Sequence, residues 1–179
     1  MYASFHSIFP KIAKQETRFI TVPENGKVPQ GDYGYFPSFC TDKDCDCRRT
    51  LINVLQVNPD YPDTHAATIS YGWEKMGFYK EWGGGLPLDV LNDFKGPSLE
   101  VMQQQSSYAN YFLEIFQNIL STDEEYANRI QRHYAYIKMK QMKKLPKELN
   151  QLIDYFGQCP CESGKTFRQC CGKKRRLSR

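Results

Sequence analysis

The chain has 179 residues, 40% of them apolar, 25% charged and 14% aromatic, a composition that excludes disordered, collagenous and fibrous proteins. Mean hydropathy is −0.64, and no stretch approaches the roughly 20 apolar residues that cross a bilayer, so no membrane span is expected. The formal charge of +4 is unevenly placed: residues 138–179 carry 12 Lys and Arg against 3 Asp and Glu, and residues 1–137 carry 12 against 17. A mildly acidic body with a basic tail suggests an acidic partner for the tail.

The first residues place a short apolar patch before their charges and break it at Pro10. A secretory signal has the opposite order, so a cytoplasmic, soluble protein is expected. In a reducing compartment, clustered thiols read as metal ligands or reactive groups rather than disulfides. All seven cysteines lie in two clusters, Cys40, Cys45 and Cys47, then Cys159, Cys161, Cys170 and Cys171.

Residues 17–72 read as strands. Arg18–Val22 is short and β-branched and stops at Pro23. Turn material at 24–27 and 29–32 leads to an aromatic run, Tyr33–Phe39. Arg49–Val57 is a strong strand, a loop follows around Pro59 to Asp63, and His65–Tyr71 is a further strand. Turn signals between consecutive runs favour an antiparallel sheet. Glu74–Trp82 reads as a short helix that Gly83-Gly84-Gly85 ends; with no Lys-Ser/Thr after it, the glycine run is not a phosphate cradle.

Two long helices are expected next. Pro97-Ser98 opens the first, with Leu99, Met102, Ala109, Phe112, Phe116 and Ile119 near a 3.6-residue period. The second opens on a capping box with Thr122 as N-cap and Glu125 three residues later, and Tyr126, Ile130, Tyr134 and Ile137 line one face. Pro146 breaks the chain before a short helix over 147–156. The expected fold class is α+β, an antiparallel sheet packed against two long helices with a small C-terminal metal knuckle. The expected division is a body over 1–146 and a tail over 147–179.

The tail reads Cys159-Pro-Cys161-Glu-Ser-Gly-Lys-Thr-Phe-Arg-Gln-Cys170-Cys171-Gly, a C-x-C-x8-C-C spacing. Two ligand pairs joined by a short loop suit a tetrahedral ion, and soft thiolates select zinc, or iron where it is available. A segment this short has no core of its own, so the metal would supply its folding energy, on the order of 10 kcal/mol. These residues resemble the SEC-C motif, the metal-binding tail known from the SecA preprotein translocase motor. Cys159, Pro160, Cys161, Ser163, Gly164, Lys165, Cys170, Cys171 and Gly172 match its pattern, and Glu162 stands where the family usually has Gly. The resemblance implies a partner-binding tail and, as first partner, an acidic export chaperone of the SecB kind. No G-x-x-x-x-G-K-[ST] is present, so the motor itself is excluded. Lys165, Phe167, Arg168, Lys173 and Lys174 are the candidate partner-binding residues, Phe167 either as an apolar anchor or packed on the knuckle.

The first cluster, Cys40-x4-Cys45-Asp-Cys47-Arg48-Arg49, supplies three thiolates, one short of a closed site. His65 is the expected fourth ligand if its strand pairs beside the cluster; His133 and the distant His6 are the alternatives. The block also resembles the body of bacterial SEC-C motif-containing proteins, a likeness that brings no activity with it. The leading reading is a zinc-binding adaptor or chaperone-associated protein rather than an enzyme. Two alternatives stand beside it. One is a metal- or thiol-dependent enzyme using Cys45 and Cys47, with Arg48 lowering a thiol pKa. The other is ribosome or nucleic-acid binding through Lys173–Arg176 and Arg179.

Overall fold

The structure is a computed structural model that describes all residues except 25, 59–62, 143–144 and 177–179, and the backbone alone of 174–176. Its centre is an antiparallel sheet built on β3 (Gly31–Cys40), β4 (Arg49–Val57) and β5 (Thr64–Gly72). β3 pairs β4 with Phe39 opposite Thr50, and β4 pairs β5 with Arg49 opposite Gly72. These are the aromatic and β-branched runs expected as strands, and α+β holds as the fold class. Among the described residues no helix is long and apolar enough to cross a membrane.

The free side of β3 is covered by an interrupted edge strand. β1 (Tyr2–Ser4) pairs its Cys40 end and β2 (Arg18–Val22) its Gly31 end. Between them the chain leaves the sheet as two short helices, α1 (Phe5–Ile8) and α2 (Pro10–Glu16). The excursion buries Phe5, Phe9, Ile12 and Ala13 in the core. Residues 2–16 therefore form a strand and two helices, and the distant end expected around His6 is part of the body.

On the other side, β6 (Gly96–Leu99) pairs β5 from Gly72 to Ile69. The helix expected to open at Pro97 starts instead at Ala109. Gly96, at φ 71°, turns the chain onto the open edge of β5, and ladder bonds there outweigh the chance helical spacing of Leu99 and Met102. Met102 is 84% exposed. Beyond β6 the edge of β5 is met by a side chain: the Gln105 amide accepts from Thr68 N at 2.9 Å and donates to Thr68 O at 3.1 Å. α3 (Met76–Trp82) is the expected short helix, and α4 (Leu88–Phe94) is an addition to the expected set.

Two long helices cover one face of the sheet, α5 (Ala109–Thr122) and α6 (Glu124–Gln141). Tyr33 packs against Phe112, Tyr35 and Tyr71 against Phe116, and Trp73 against Tyr134. The α6 cap lies one residue later than expected. Thr122 closes α5, and Asp123 is the N-cap, its carboxylate accepting from Tyr126 N at 2.9 Å. The helix expected over 147–156 is only α7 (Lys147–Gln151), because the Asp154 carboxylate turns the chain by accepting from Phe156 N and Gly157 N. Leu149, Ile153, Cys159 and Phe167 belong to the same apolar cluster as the sheet core.

α6 is tied to the N-terminal excursion by a buried polar contact. The His133 ring stacks on Phe5 at 3.8 Å, and its Nε2 lies 2.6 Å from Glu16 Oε2, which also accepts from Arg132 at 2.7 Å. Burial holds the His133 pKa below the ordinary value, and Nδ1 is buried without a partner. A neutral ring that donates from Nε2 fits both facts, since an unprotonated Nδ1 leaves no orphaned N–H. Burial alone would raise the Glu16 carboxyl, but His133 and Arg132 together bring it down to about 2. Both groups weaken the fold in acid. The unfolded chain takes a proton on His133 near the usual 6.5, whereas the folded chain takes it only at lower pH. Glu16 contributes stability that is present above 4.5 and is lost as pH falls toward 2. Glu16→Gln should therefore lower stability at pH 7 by roughly 2 kcal/mol, and the gap to the unchanged protein should narrow below pH 4.5. Urea midpoints of the two proteins across pH 7 to 3.5 measure it.

Candidate metal centres

Two groups of cysteines converge in the folded chain, and within each group all sulfurs lie within 4.8 Å of one another. None of the seven is in a disulfide. The C-terminal group is assembled locally. Gln158 and Thr166 form an antiparallel bridge, with Cys159 N donating to Lys165 O at 2.8 Å and Phe167 N to Gly157 O at 3.0 Å. This brings the Cys159–Cys161 turn beside a 3-10 turn, Phe167–Gln169, from which α8 (Cys171–Arg176) departs. Gly164 makes the reversal at φ 73°. Gly172 is packed so closely that a Cβ there would lie 2.8 Å from Phe167 O.

Cys161 Sγ is 3.3 Å from Cys159 Sγ and 3.4 Å from Cys170 Sγ. The edge of a tetrahedron with 2.3 Å metal–sulfur bonds is about 3.8 Å, so four sulfurs at this spacing fit one ion with little movement. The Ser163 hydroxyl beside it holds the Cys161 thiol down at about 6, whereas burial pushes Cys171 up to about 12 and also raises Cys159. Cys161, the exposed member, is therefore the most readily deprotonated thiol of the group.

Glu162 has φ 59°, the left-handed region that a Gly would occupy without cost and that costs other residues about 1 kcal/mol. Its carboxylate accepts from Lys11 N at 2.8 Å, in the first turn of α2 where helix amides lack partners of their own. The one departure from the SEC-C pattern is therefore the residue that fastens the tail to the body.

The candidate partner-binding residues divide. Lys165, Arg168 and Lys173 are exposed. Phe167 is 1% exposed and packs edge-on against Tyr155 at 5.3 Å, so of its two expected roles the structure gives it the packed one and removes it from the surface. The exposed apolar residue beside the knuckle is Phe156, 74% exposed, with the Arg168 guanidinium 5.7 Å from its ring centroid. It is the last residue of the segment read as helix, and nothing in its spacing set it apart. The side chains of Lys174, Arg175 and Arg176, and all of Arg179, lie outside the described residues.

The N-terminal group sits on the connection between β3 and β4. Cys40 ends β3, and Cys45 and Cys47 lie in the segment before β4 begins at Arg49. Cys40 and Cys47 are buried and Cys45 is half-buried. The segment is held from α6: Tyr134 OH donates to Asp46 Oδ1 at 2.9 Å, and Lys138 Nζ donates to Asp42 O and Cys45 O, each at 2.6 Å. The Tyr2 hydroxyl lies 3.9 Å from Cys47 Sγ. His65 is not brought to this group. β4 and β5 run antiparallel, so Gly72 lies beside Arg49 while His65 pairs with Leu55, about 20 Å along the strand. His65 Nε2 instead lies 2.9 Å from Thr68 Oγ1. His133 is engaged with Glu16 and His6 with Thr17, so neither alternative completes the set. Arg48 does not activate a thiol either. It pairs with Asp46 and Glu74, and burial with the neighbouring sulfurs pushes Cys47 up to about 12 and raises Cys45. This is the opposite of what a nucleophilic cysteine requires.

Residues 158–173 match the family model of the SEC-C motif. No curated protein and no solved structure matches the chain. The chain is thus similar to SEC-C proteins over the knuckle, and the body stands on its own geometry. Glu162→Gly relieves the left-handed strain but removes the contact with Lys11. It should leave the metal content unchanged and speed hydrogen exchange at the Lys11 amide severalfold, read by mass spectrometry or NMR.

Proposed function

We propose that Cys159, Cys161, Cys170 and Cys171 bind one Zn²⁺, and that the tail, residues 147–179, is a partner-binding module carried by the body. The observation that carries the reading is the convergence of four sulfurs within 4.8 Å inside a SEC-C match. Zinc is favoured over magnesium or calcium by the all-thiolate set, and the two short reversals suit a closed tetrahedral site without an open position. The metal's part is structural: it ties the Cys159–Cys161 turn to the start of α8 and so fixes the loop between them.

That loop turns Lys165 and Arg168 to solvent, with Lys173 just beyond the last ligand and Phe156 alongside. A largely exposed aromatic ring among cations suits an acidic protein surface better than a nucleic acid, whose phosphates would use the cations alone. An acidic chaperone of the SecB kind, suggested by resemblance, is the first partner to try. An adaptor role follows: the body supplies a rigid mount, and Glu162 sets the angle at which the module is presented.

Cys170→Ser in the full chain should lose one metal equivalent and the protection of the 158–173 amides while the sheet stays folded. Binding to an acidic chaperone should weaken at least tenfold on chelation and again on raising salt, and Arg168→Ala should weaken it severalfold. Binding to ribosomal RNA that is steeply salt-dependent but indifferent to chelator would favour the nucleic-acid reading.

A further inference from the structure

We infer that Cys40, Cys45 and Cys47 bind a second Zn²⁺ through three thiolates and one solvent molecule, with the buried ammonium of Lys138 as its counter-charge. The inference is independent of the tail and rests on three converged sulfurs whose segment is held by a buried ammonium.

Lys138 is 1% exposed. Its ammonium donates to two main-chain carbonyls, Asp42 O and Cys45 O, and stands 5.4 Å from the Tyr134 ring centroid. Among the described residues no carboxylate lies within salt-bridge distance of it. Neutral acceptors replace part of a lysine's hydration, but a buried charge is normally offset by an opposite one. Both carbonyls belong to the segment that carries the cysteines, so the ammonium is held to the loop on which the sulfurs sit. Three thiolates around a divalent ion carry one net negative charge, and the ammonium held to the same segment is a cation that opposes it.

The chemistry of loading is simple. Each S–H gives its proton to solvent, three Zn–S bonds form, and no electron is transferred. The sulfurs already lie within the 4.8 Å that one ion requires, and the segment is fixed by groups one step out: Tyr134 on Asp46, and Arg48 on Asp46 and Glu74. Such outer contacts hold ligands in place around a metal. Among the described residues no His, Asp or Glu joins the three cysteines within that spacing. The fourth corner is therefore left to solvent on the half-buried Cys45 side, with the Tyr2 hydroxyl next to Cys47 placed to hydrogen-bond it. The two centres then differ in kind: the tail is closed by four thiolates, and this one keeps an exchangeable position.

The full chain, purified with a phosphine reductant, is loaded with Zn²⁺ or Co²⁺ alone. The unchanged protein should hold two equivalents, Cys45→Ser one, and the tail double variant Cys161→Ser/Cys170→Ser one. A tail double variant that stays folded by circular dichroism and holds no metal overturns this proposal. A Cys45→Ser protein that holds none, while the tail double variant holds one, overturns the tail site instead. In the tail double variant Co²⁺ should give thiolate charge-transfer bands and tetrahedral d–d bands that shift when thiocyanate is added; bands that do not shift overturn the solvent ligand. Lys138→Met should weaken Zn²⁺ at this site about 10- to 100-fold and leave the tail site unchanged. Equal affinity at the N-terminal site would remove Lys138 from the account.

Discussion

A polar group that leaves water must find a partner inside the protein, and helix α6 carries three such groups along its buried side. His133 reaches back to Glu16 at the end of α2, Tyr134 to Asp46, and Lys138 to the carbonyls of Asp42 and Cys45. Each contact spans about ninety residues or more of chain, and each fixes a segment that apolar packing alone would leave free to slide. Hydrophobic burial places α6 on the sheet; its polar groups decide which loops lie against it and in what register. The N-terminal excursion and the first cysteine segment are both positioned in this way. Lys140 extends the series toward the surface, its ammonium donating to Ile8 O and covering the Phe9 ring.

The two thiol clusters depend on the fold to different degrees. The tail cluster is contained in a short stretch of chain whose only ladder is the Gln158–Thr166 bridge, so little besides a metal would hold its two halves together. It is not independent of the body, however. Phe167 and Cys159 continue the main apolar cluster, and Glu162 ties the knuckle to α2. The first cluster hangs from a long strand pair whose register, Phe39 opposite Thr50, brings Cys40 and Cys47 near each other without any ion. A metal there would add charge and rigidity to a geometry that already exists.

Much of this was readable in the sequence. Arg18–Val22 and Arg49–Val57 appear as strands with the expected bounds, because β-branched runs between turn residues have few other options. The tail cysteine cluster was legible because its spacing is local. What escaped the sequence is what depends on distant partners. Residues 2–16 are three pieces of three, four and seven residues, too short to show a period, and they exist because Tyr2 finds Cys40 and Phe5 finds His133. His65 could have been set aside, since an antiparallel pair of 49–57 with 65–71 already carries it away from Cys47. Lys138 could not: in sequence it is one cation among several near a helix end, and only the fold encloses it. Glu162 read as a departure from a pattern, and only the folded chain gives it a partner.

The interrupted edge strand has a further bearing on behaviour at high concentration. A sheet that ends in a long, straight strand offers a row of unpaired amides and carbonyls on which a second chain can add itself. Here one margin is divided into a three-residue and a five-residue piece separated by helices. The other ends in the four-residue β6, and just past it the Gln105 amide occupies both main-chain groups of Thr68. Neither margin presents a long, unbroken template. Short, divided margins of this kind guard a sheet against edge-to-edge polymerisation.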